Sequence, residues 1–262
     1  MSTVPTVSTV DARFAGRVAL VTGAGRGIGR ATAIRLAADG ATVLVNDVNA
    51  AGIDETLEAI AGAGGTAVPA TADVTSEAAV AEVVDAAVRR YGCVDILVNN
   101  AGGALRGASW DDVERTATAD WEGFLALNLT SAFLCSRAVL PAMLAKGRGH
   151  IVSVGSISGT NGQRGGAGYA AAKAGLAALV ASIAKETAGR GVSCNGIIVG
   201  NAPFPGRPER RQAELDSYVH LGRVGRHDEF AAAIAFLCSE ESSYLSGAMI
   251  PVDGGFHRSN LL

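Results

Sequence analysis

Four cysteines in 262 residues, Cys93, Cys135, Cys194 and Cys238, lie far apart inside apolar segments, with neither paired metal spacing nor a disulfide framework. They are expected to be small buried hydrophobes in a reducing compartment. The four histidines, His150, His220, His227 and His257, share no metal-ligand spacing and fall outside the motifs below, so no metal is expected. Aromatic residues make up 5% of the chain and the net charge is −3. Together these argue against a nucleic-acid surface, whether aromatic-lined or basic. Trp110 and Trp121 are assigned to helix packing. No stretch approaches the roughly 20 consecutive apolar residues of a membrane span. Residues 1–12 are rich in Ser, Thr and Val, with no early basic residue and no sustained apolar core, which fails as a secretory signal. They are expected to be a flexible tail before one domain at 13–262, in a soluble, cytoplasmic protein.

Apolar content is 48%, ample for one sizeable core. Strand-like runs near 17–22, 42–47, 66–70, 94–98, 149–155, 192–198 and 248–252 alternate with helical stretches, and no linker divides them. Such alternation implies right-handed crossovers. The fold class is therefore α/β: a single-domain Rossmann fold, with a doubly wound, seven-stranded parallel sheet covered by helices on both faces. Ligands of such sheets lie across the carboxyl ends of the strands.

The first strand-like run, Val18 to Val21, ends in TGAGRGIG, Thr22 to Gly29, and an Ala-rich helical stretch follows. Gly23, Gly27 and Gly29 remove side chains where the backbone must turn and where a pyrophosphate approaches a helix N-terminus. Asp47 closes the second strand-like run, twenty-four residues after Gly23. There a carboxylate accepts from both hydroxyls of an adenosine ribose and repels a 2′-phosphate; a turn aspartate is the alternative. Arg26 pulls toward the phosphate. NAD is favoured and NADP stays open. In GYAAAKAG, Tyr169 and Lys173 stand four apart, on one face of a helical turn, where an ammonium can stabilise a phenolate.

With Asp73 in TADVT, NNAG at Asn99 to Gly102, Asn128 in ALNLTSAF, Ser156 in VGSISG thirteen positions before Tyr169, and PVDGG at Pro251 to Gly255, the chain resembles the short-chain dehydrogenase/reductases from about Phe14 to His257. Within them it is similar to the bacterial 3-oxoacyl-carrier-protein-reductase-like group. The resemblance implies a catalytic set of Asn128, Ser156, Tyr169 and Lys173. Ser156 would hold the substrate oxygen, Tyr169 transfer the proton, Lys173 lower the tyrosine pKa and hold the nicotinamide ribose, and Asn128 hold a water leading from Lys173 to solvent. It also implies cofactor contacts from Gly23, Gly25, Arg26, Gly27, Ile28, Gly29, Asp47, Asp73, Val74, Asn100, Ala101, Gly102, Tyr169, Lys173 and Gly200. Relatives are commonly tetramers, so a homotetramer is expected, its tail from Phe256 packed between subunits.

The chain departs from those relatives after the sixth strand. They commonly read PG there, with a threonine four positions beyond the glycine that contacts the nicotinamide amide. Here Val199 replaces the proline and Phe204 the threonine. Asn201 or a backbone group is the available substitute, and Ser156, Asn201 and Phe204 are the candidate substrate contacts. A short helix is expected over Glu209 to Val219. Arg207, Arg210 and Arg211 beside it are either an acidic-substrate contact or, with more weight, a solvated face. Arg190, Lys146 and Arg148 are a second candidate contact for a carrier protein. The leading reading is an NAD(P)-dependent oxidoreductase of secondary alcohols or ketones, cyclic ones included. A 3-oxoacyl-thioester reductase is the alternative, and a nucleotide-binding scaffold without turnover the alternative of another class.

Overall fold

The computed structural model describes residues 12–105, 107–203 and 209–256, apart from the side chains of 210–212 and 215. Residues 1–11, Phe204 to Pro208 and 257–262 lie outside this description, and with them most of the expected tail, the Phe204 contact, Arg207 and the chain end after Phe256. Seven strands alternate with helices: β1 Val18–Val21, α1 Gly27–Ala38, β2 Thr42–Asp47, α2 Ala50–Gly62, β3 Thr66–Thr71, α3 Glu77–Tyr91, β4 Ile96–Asn99 and α4 Thr118–Leu125. After a π-helical turn at Ala126–Thr130 come α5 Ser131–Lys146, β5 Gly149–Ser156, α6 Ser158–Asn161, α7 Ala167–Thr187, β6 Val192–Val199, α8 Glu209–Ser217, α9 His227–Leu237 and β7 Met249–Val252. Each expected strand is present, and the helix expected after residue 209 is α8.

All neighbouring strands pair in parallel, in the order β3-β2-β1-β4-β5-β6-β7. The order reverses between β1 and β4. Alternate residues of a strand face opposite sides of a sheet, which divides β1 between two cores. Ala19 and Val21 join Leu36, Ile53, Phe230 and Ile234 on one side. Val18 and Leu20 join Val84, Val139, Met143 and Ile183 on the other. With both faces covered, the strands can be buried throughout, as β1 and β4 are. The four cysteines belong to these cores: Cys238 to the first, and Cys93, Cys135 and Cys194 to the second. Burial pushes the Cys135 and Cys194 thiols up to about 12, and raises those of Cys93 and Cys238.

Two helical runs, Thr118–Lys146 and Ala167–Thr187, are long and apolar enough by composition to span a bilayer, unlike anything expected from consecutive apolar residues. Scattered glycines, serines and charged residues interrupt their apolar runs, while alanine and leucine keep mean hydropathy high. In the fold the most apolar stretches of these runs are 44% and 39% buried, and they carry the residues of the site described below.

At the amino ends of the strands, Asp95 is 1% exposed. Its carboxylate accepts from the Val18 N–H at 3.0 Å, Lys146 Nζ at 2.9 Å and Arg148 Nη2 at 2.7 Å. It fixes the start of β1 against β4 and occupies Lys146 and Arg148, the suggested carrier-protein contacts. Burial alone would raise the carboxyl pKa, but these donors outweigh it and hold the pKa below the usual value. The group's stability contribution is therefore full above the unfolded carboxylate pKa, near 4, and is lost as pH falls through the lower folded value. Asp95→Ala is expected to lower the unfolding free energy by roughly 3 kcal/mol at pH 7 in urea titrations, the low end for a broken buried pair because Lys146 and Arg148, its two hydrogen-bonded cations, reach water. Asp95→Asn, which keeps an acceptor for Val18, should lose less.

Candidate active site

The turn after β1 is joined to the turn after β4 by polar bonds that begin at Thr22. Its hydroxyl donates to the Val98 carbonyl at 3.2 Å and accepts the N–H groups of Asn100 at 3.0 Å and Ala101 at 2.9 Å. The Asn100 amide donates back to the carbonyls of Thr22 at 2.8 Å and Gly23 at 3.1 Å. A Cβ on Gly29 would sit 2.2 Å from the Gly23 carbonyl oxygen and 2.4 Å from Asn100 Nδ2, so α1 can approach this junction only through glycine. Sequence reasoning missed Thr22, although a hydroxyl residue at the strand end, opposite two asparagines, was the available signal.

Gly23, Arg26, Gly27, Ile28, Gly29, Asn100, Gly102, Ser156, Tyr169, Lys173, Gly200 and Asn201 line one cavity of about 380 Å³ at the carboxyl ends of the strands. Gly103, Val154, Gly155, Val199, Ala202, Pro203 and His227 complete its wall. Gly25, Asp47, Asp73, Val74, Ala101 and Asn128 lie outside that wall. Asp47 Oδ2 accepts the Gly25 N–H and its Oδ1 the Asn49 N–H, each at 3.0 Å, which fixes the carboxylate beside the glycine turn. Asp73 accepts from Thr75 N at 2.9 Å and Thr75 Oγ1 at 2.7 Å, as a turn aspartate does. Val74 is buried in the second core.

Asn128 lies in the π-helical turn, a local widening that the sequence periodicity did not disclose. Its Oδ1 accepts the Gly103 N–H at 2.7 Å, and its Nδ2 donates to the carbonyls of Gly103 and Phe124, both at 3.1 Å. A Cβ on Gly102 would meet both Asn128 Oδ1 and Lys173 Nζ. The NNAG turn, Asn128 and Lys173 thus converge on one point.

Ser156 ends β5, and Tyr169 and Lys173 project from the first turns of α7. The Ser156 hydroxyl stands beside the Tyr169 phenol on the cavity wall, close enough to favour its ionised form, and accepts from Ser158 N at 3.2 Å. Lys173 is 6% exposed, and its ammonium donates to the Val154 carbonyl at 2.8 Å, lying 5.8 Å from the phenol ring centroid. Burial lowers its pKa to about 8. The expected depression of the tyrosine pKa is not present in this arrangement. Burial raises the phenol, and the neighbouring Ser156 hydroxyl offsets only part of that. The ammonium is directed at a backbone carbonyl, and its own burial penalises the charge that would stabilise a phenolate.

Trp110 corrects a second expectation. It stands on the loop after β4, outside any helix, with ring centroids 5.9 Å from Tyr169 and 5.2 Å from Phe124, in edge-to-face geometry. Gly166 admits it: a Cβ there would be 2.6 Å from the indole. Trp110 remains 40% exposed beside the phenol. Trp121 does lie within a helix, α4, but its side chain is exposed.

Residues 23–257 match the family model described as enoyl-(acyl carrier protein) reductase. The chain belongs to the short-chain dehydrogenase/reductases. A 3-oxoacyl-(acyl-carrier-protein) reductase FabG of Thermotoga maritima is 38% identical over 246 residues, which is 93% of this chain and 98% of that protein. The cis-4-hydroxycyclohexanecarboxylate dehydrogenase of Sinomonas cyclohexanicum is 42% identical over 246 residues, 93% of this chain and 97% of that one. A crystal structure from Burkholderia xenovorans, described as a short-chain dehydrogenase/reductase, superposes with a TM-score of 0.88 at 38% identity, covering 94% of this chain and 98% of its own. This short-chain dehydrogenase/reductase is accordingly an NAD(P)-dependent oxidoreductase of the 3-oxoacyl-carrier-protein-reductase-like group.

The buried ammonium also costs this enzyme stability. Its pKa falls from 10.5 to about 8 on folding, so the folded state pays a protonation penalty below about pH 8, which is relieved as pH rises toward 10.5. Lys173→Met is therefore expected to unfold at a higher temperature than wild type at pH 7. Its advantage should shrink by about 3 kcal/mol between pH 7 and 10.5, read as the difference between the two proteins in calorimetry.

Proposed function

We propose that this enzyme interconverts a secondary alcohol and a ketone, with Tyr169 as the acid/base and NAD(H) as the preferred coenzyme. The observation that carries the reading is the meeting of Ser156, Tyr169 and a buried Lys173 on one cavity wall. In the direction of reduction, charge develops on the substrate oxygen. Ser156 holds that oxygen and Tyr169 delivers a proton to it; oxidation reverses the transfer. Burial keeps the phenol protonated, as a donor must be. Lys173, with Asn128 behind it, replaces the proton from the solvent side.

The cavity suits a dinucleotide. The N-terminus of α1 opens onto it at Gly27, offering free N–H groups to a diphosphate. Asn201 Nδ2 is buried on its wall with no hydrogen-bond partner among the described residues. A buried donor left unpaired costs about 1–3 kcal/mol, and a carboxamide oxygen would relieve that cost. When bound, the nicotinamide supplies or accepts the hydride. Asp47, fixed beside the glycine turn, is the proposed partner of the adenosine ribose, and Lys173 that of the nicotinamide ribose.

For the substrate, the exposed indole of Trp110 beside Tyr169 favours a ring-bearing alcohol, and the likeness to a dehydrogenase of a hydroxylated cyclohexane carboxylate supports it. Reduction of a 3-oxoacyl thioester is the second reading, which the FabG relatives support. A soluble, cytoplasmic homotetramer is proposed with either, meeting its substrate without nucleic-acid or membrane partners.

Initial rates across cyclic and acyclic secondary alcohols and a 3-oxoacyl thioester, with each coenzyme, test the reading. On the substrate so found, Tyr169→Phe should lower turnover by on the order of 10²–10⁴ while the NADH dissociation constant stays nearly unchanged. Near-normal turnover would remove Tyr169 from the chemistry. A carboxylate about 4 Å from a phosphate charge costs roughly 1–4 kcal/mol per charge pair, so wild type should prefer NAD(H) several-fold to hundreds-fold in kcat/KM. Asp47→Ala should narrow or reverse the ratio, mainly by weakening NAD(H). A ratio left unchanged would assign the selection to Arg26.

A further inference from the structure

Beyond the expected contacts, one cavity-wall side chain belongs to none of the sequence motifs. His227 is the first residue of α9, and α9 packs along α1. Its ring reaches the start of α1: within 4 Å of where a Gly27 Cβ would stand, His227 Nε2, at 3.8 Å, is the one foreign heavy atom among the described residues. The same nitrogen lies 3.3 Å from the Pro203 carbonyl oxygen. A carbonyl can only accept, so Nε2 carries the hydrogen and the ring is a donor there. At 3.3 Å the bond is longer than the usual 2.9–3.0 Å mode and is readily exchanged for a stronger acceptor. The nearby acids do not oppose an anion with free charge: Asp228 pairs with Arg226 at 3.0 Å and Glu229 with Arg223 at 2.7 Å. Arg26, the residue before α1, shares the cavity wall.

We propose that His227 is a further coenzyme-holding residue, whose Nε2–H donates to the diphosphate of the dinucleotide across the glycine turn. The inference rests on reading the cavity as a dinucleotide site. It assigns the diphosphate three sources of donors: the N-terminus of α1, Arg26 and an imidazole delivered by the start of a second helix. In exchange the ring gives up the Pro203 carbonyl, which links coenzyme binding to the segment that follows β6.

The test uses the full chain and two ligands, NADH and ADP-ribose, which share the diphosphate but not the nicotinamide. His227→Pro is the informative variant. Proline is at home at the first helical position, whose N–H is unpaired anyway, and Arg226, at φ −78° and ψ 155°, already has the extended conformation a following proline requires. His227→Gln is the companion, keeping an N–H donor on a flexible stem. Calorimetric titration is expected to show His227→Pro weakening both ligands by the same factor, about tenfold, with the unliganded melting temperature held. Tenfold is 1.4 kcal/mol, within the range of one hydrogen bond to a charged group. His227→Gln should fall between. Unchanged dissociation constants in His227→Pro, or a loss confined to NADH, would overturn the proposal while leaving the dinucleotide reading intact. Failure of wild type to bind either ligand would instead overturn that reading, and the proposal with it.

Discussion

The hydroxyl of Thr22 joins two turns that the chain order separates by almost eighty residues. By receiving the N–H groups of Asn100 and Ala101 while Asn100 reaches back to Thr22 and Gly23, it makes the glycine turn and the NNAG turn one rigid unit where the strand order reverses. Everything on the cavity wall is placed relative to that unit. The start of α1 follows from it on one side. On the other, the Gly102–Gly103 backbone receives Asn128, and through it the catalytic end of α7 is brought to the point where β5 ends.

Much of this was legible in the residues because its causes are local. Glycine is required where a Cβ would collide, as at Gly29. The apolar runs that became β1 and β5 end where polar or small residues must begin, and the four-residue spacing of Tyr169 and Lys173 can serve one site only on a helix. Strand pairing then fixed the rest: β4 beside β1, and Ser156 carried to the rim by a β5 that runs the full depth of the sheet.

What was not legible depends on burial and on contacts distant in sequence. The π-helical turn at Asn128 leaves no trace in periodicity, because one added residue per turn is absorbed by a stretch apolar on several faces. Trp110 reads as a generic aromatic until Gly165 and Gly166 provide the gap it fills. The ionisation of the Tyr169–Lys173 pair is hidden for the same reason: spacing reports proximity, while the free energy of the charged forms is set by how little water remains around them. His227 lacks a motif, and only the packing of α9 on α1 brings it to the glycine turn.

The cysteines give the fold built-in reporters. All four thiols are buried and hold their protons well above neutral pH, so thiolate, the form that reacts with alkylating reagents, scarcely exists in the native state. Cys238 sits on one side of the sheet and Cys93, Cys135 and Cys194 on the other. Labelling must therefore wait for the surrounding layer to open. The order in which the thiols become reactive would record whether the helical layer bearing α1 and α9 or the one bearing α5 and α7 separates first, without any residue being replaced.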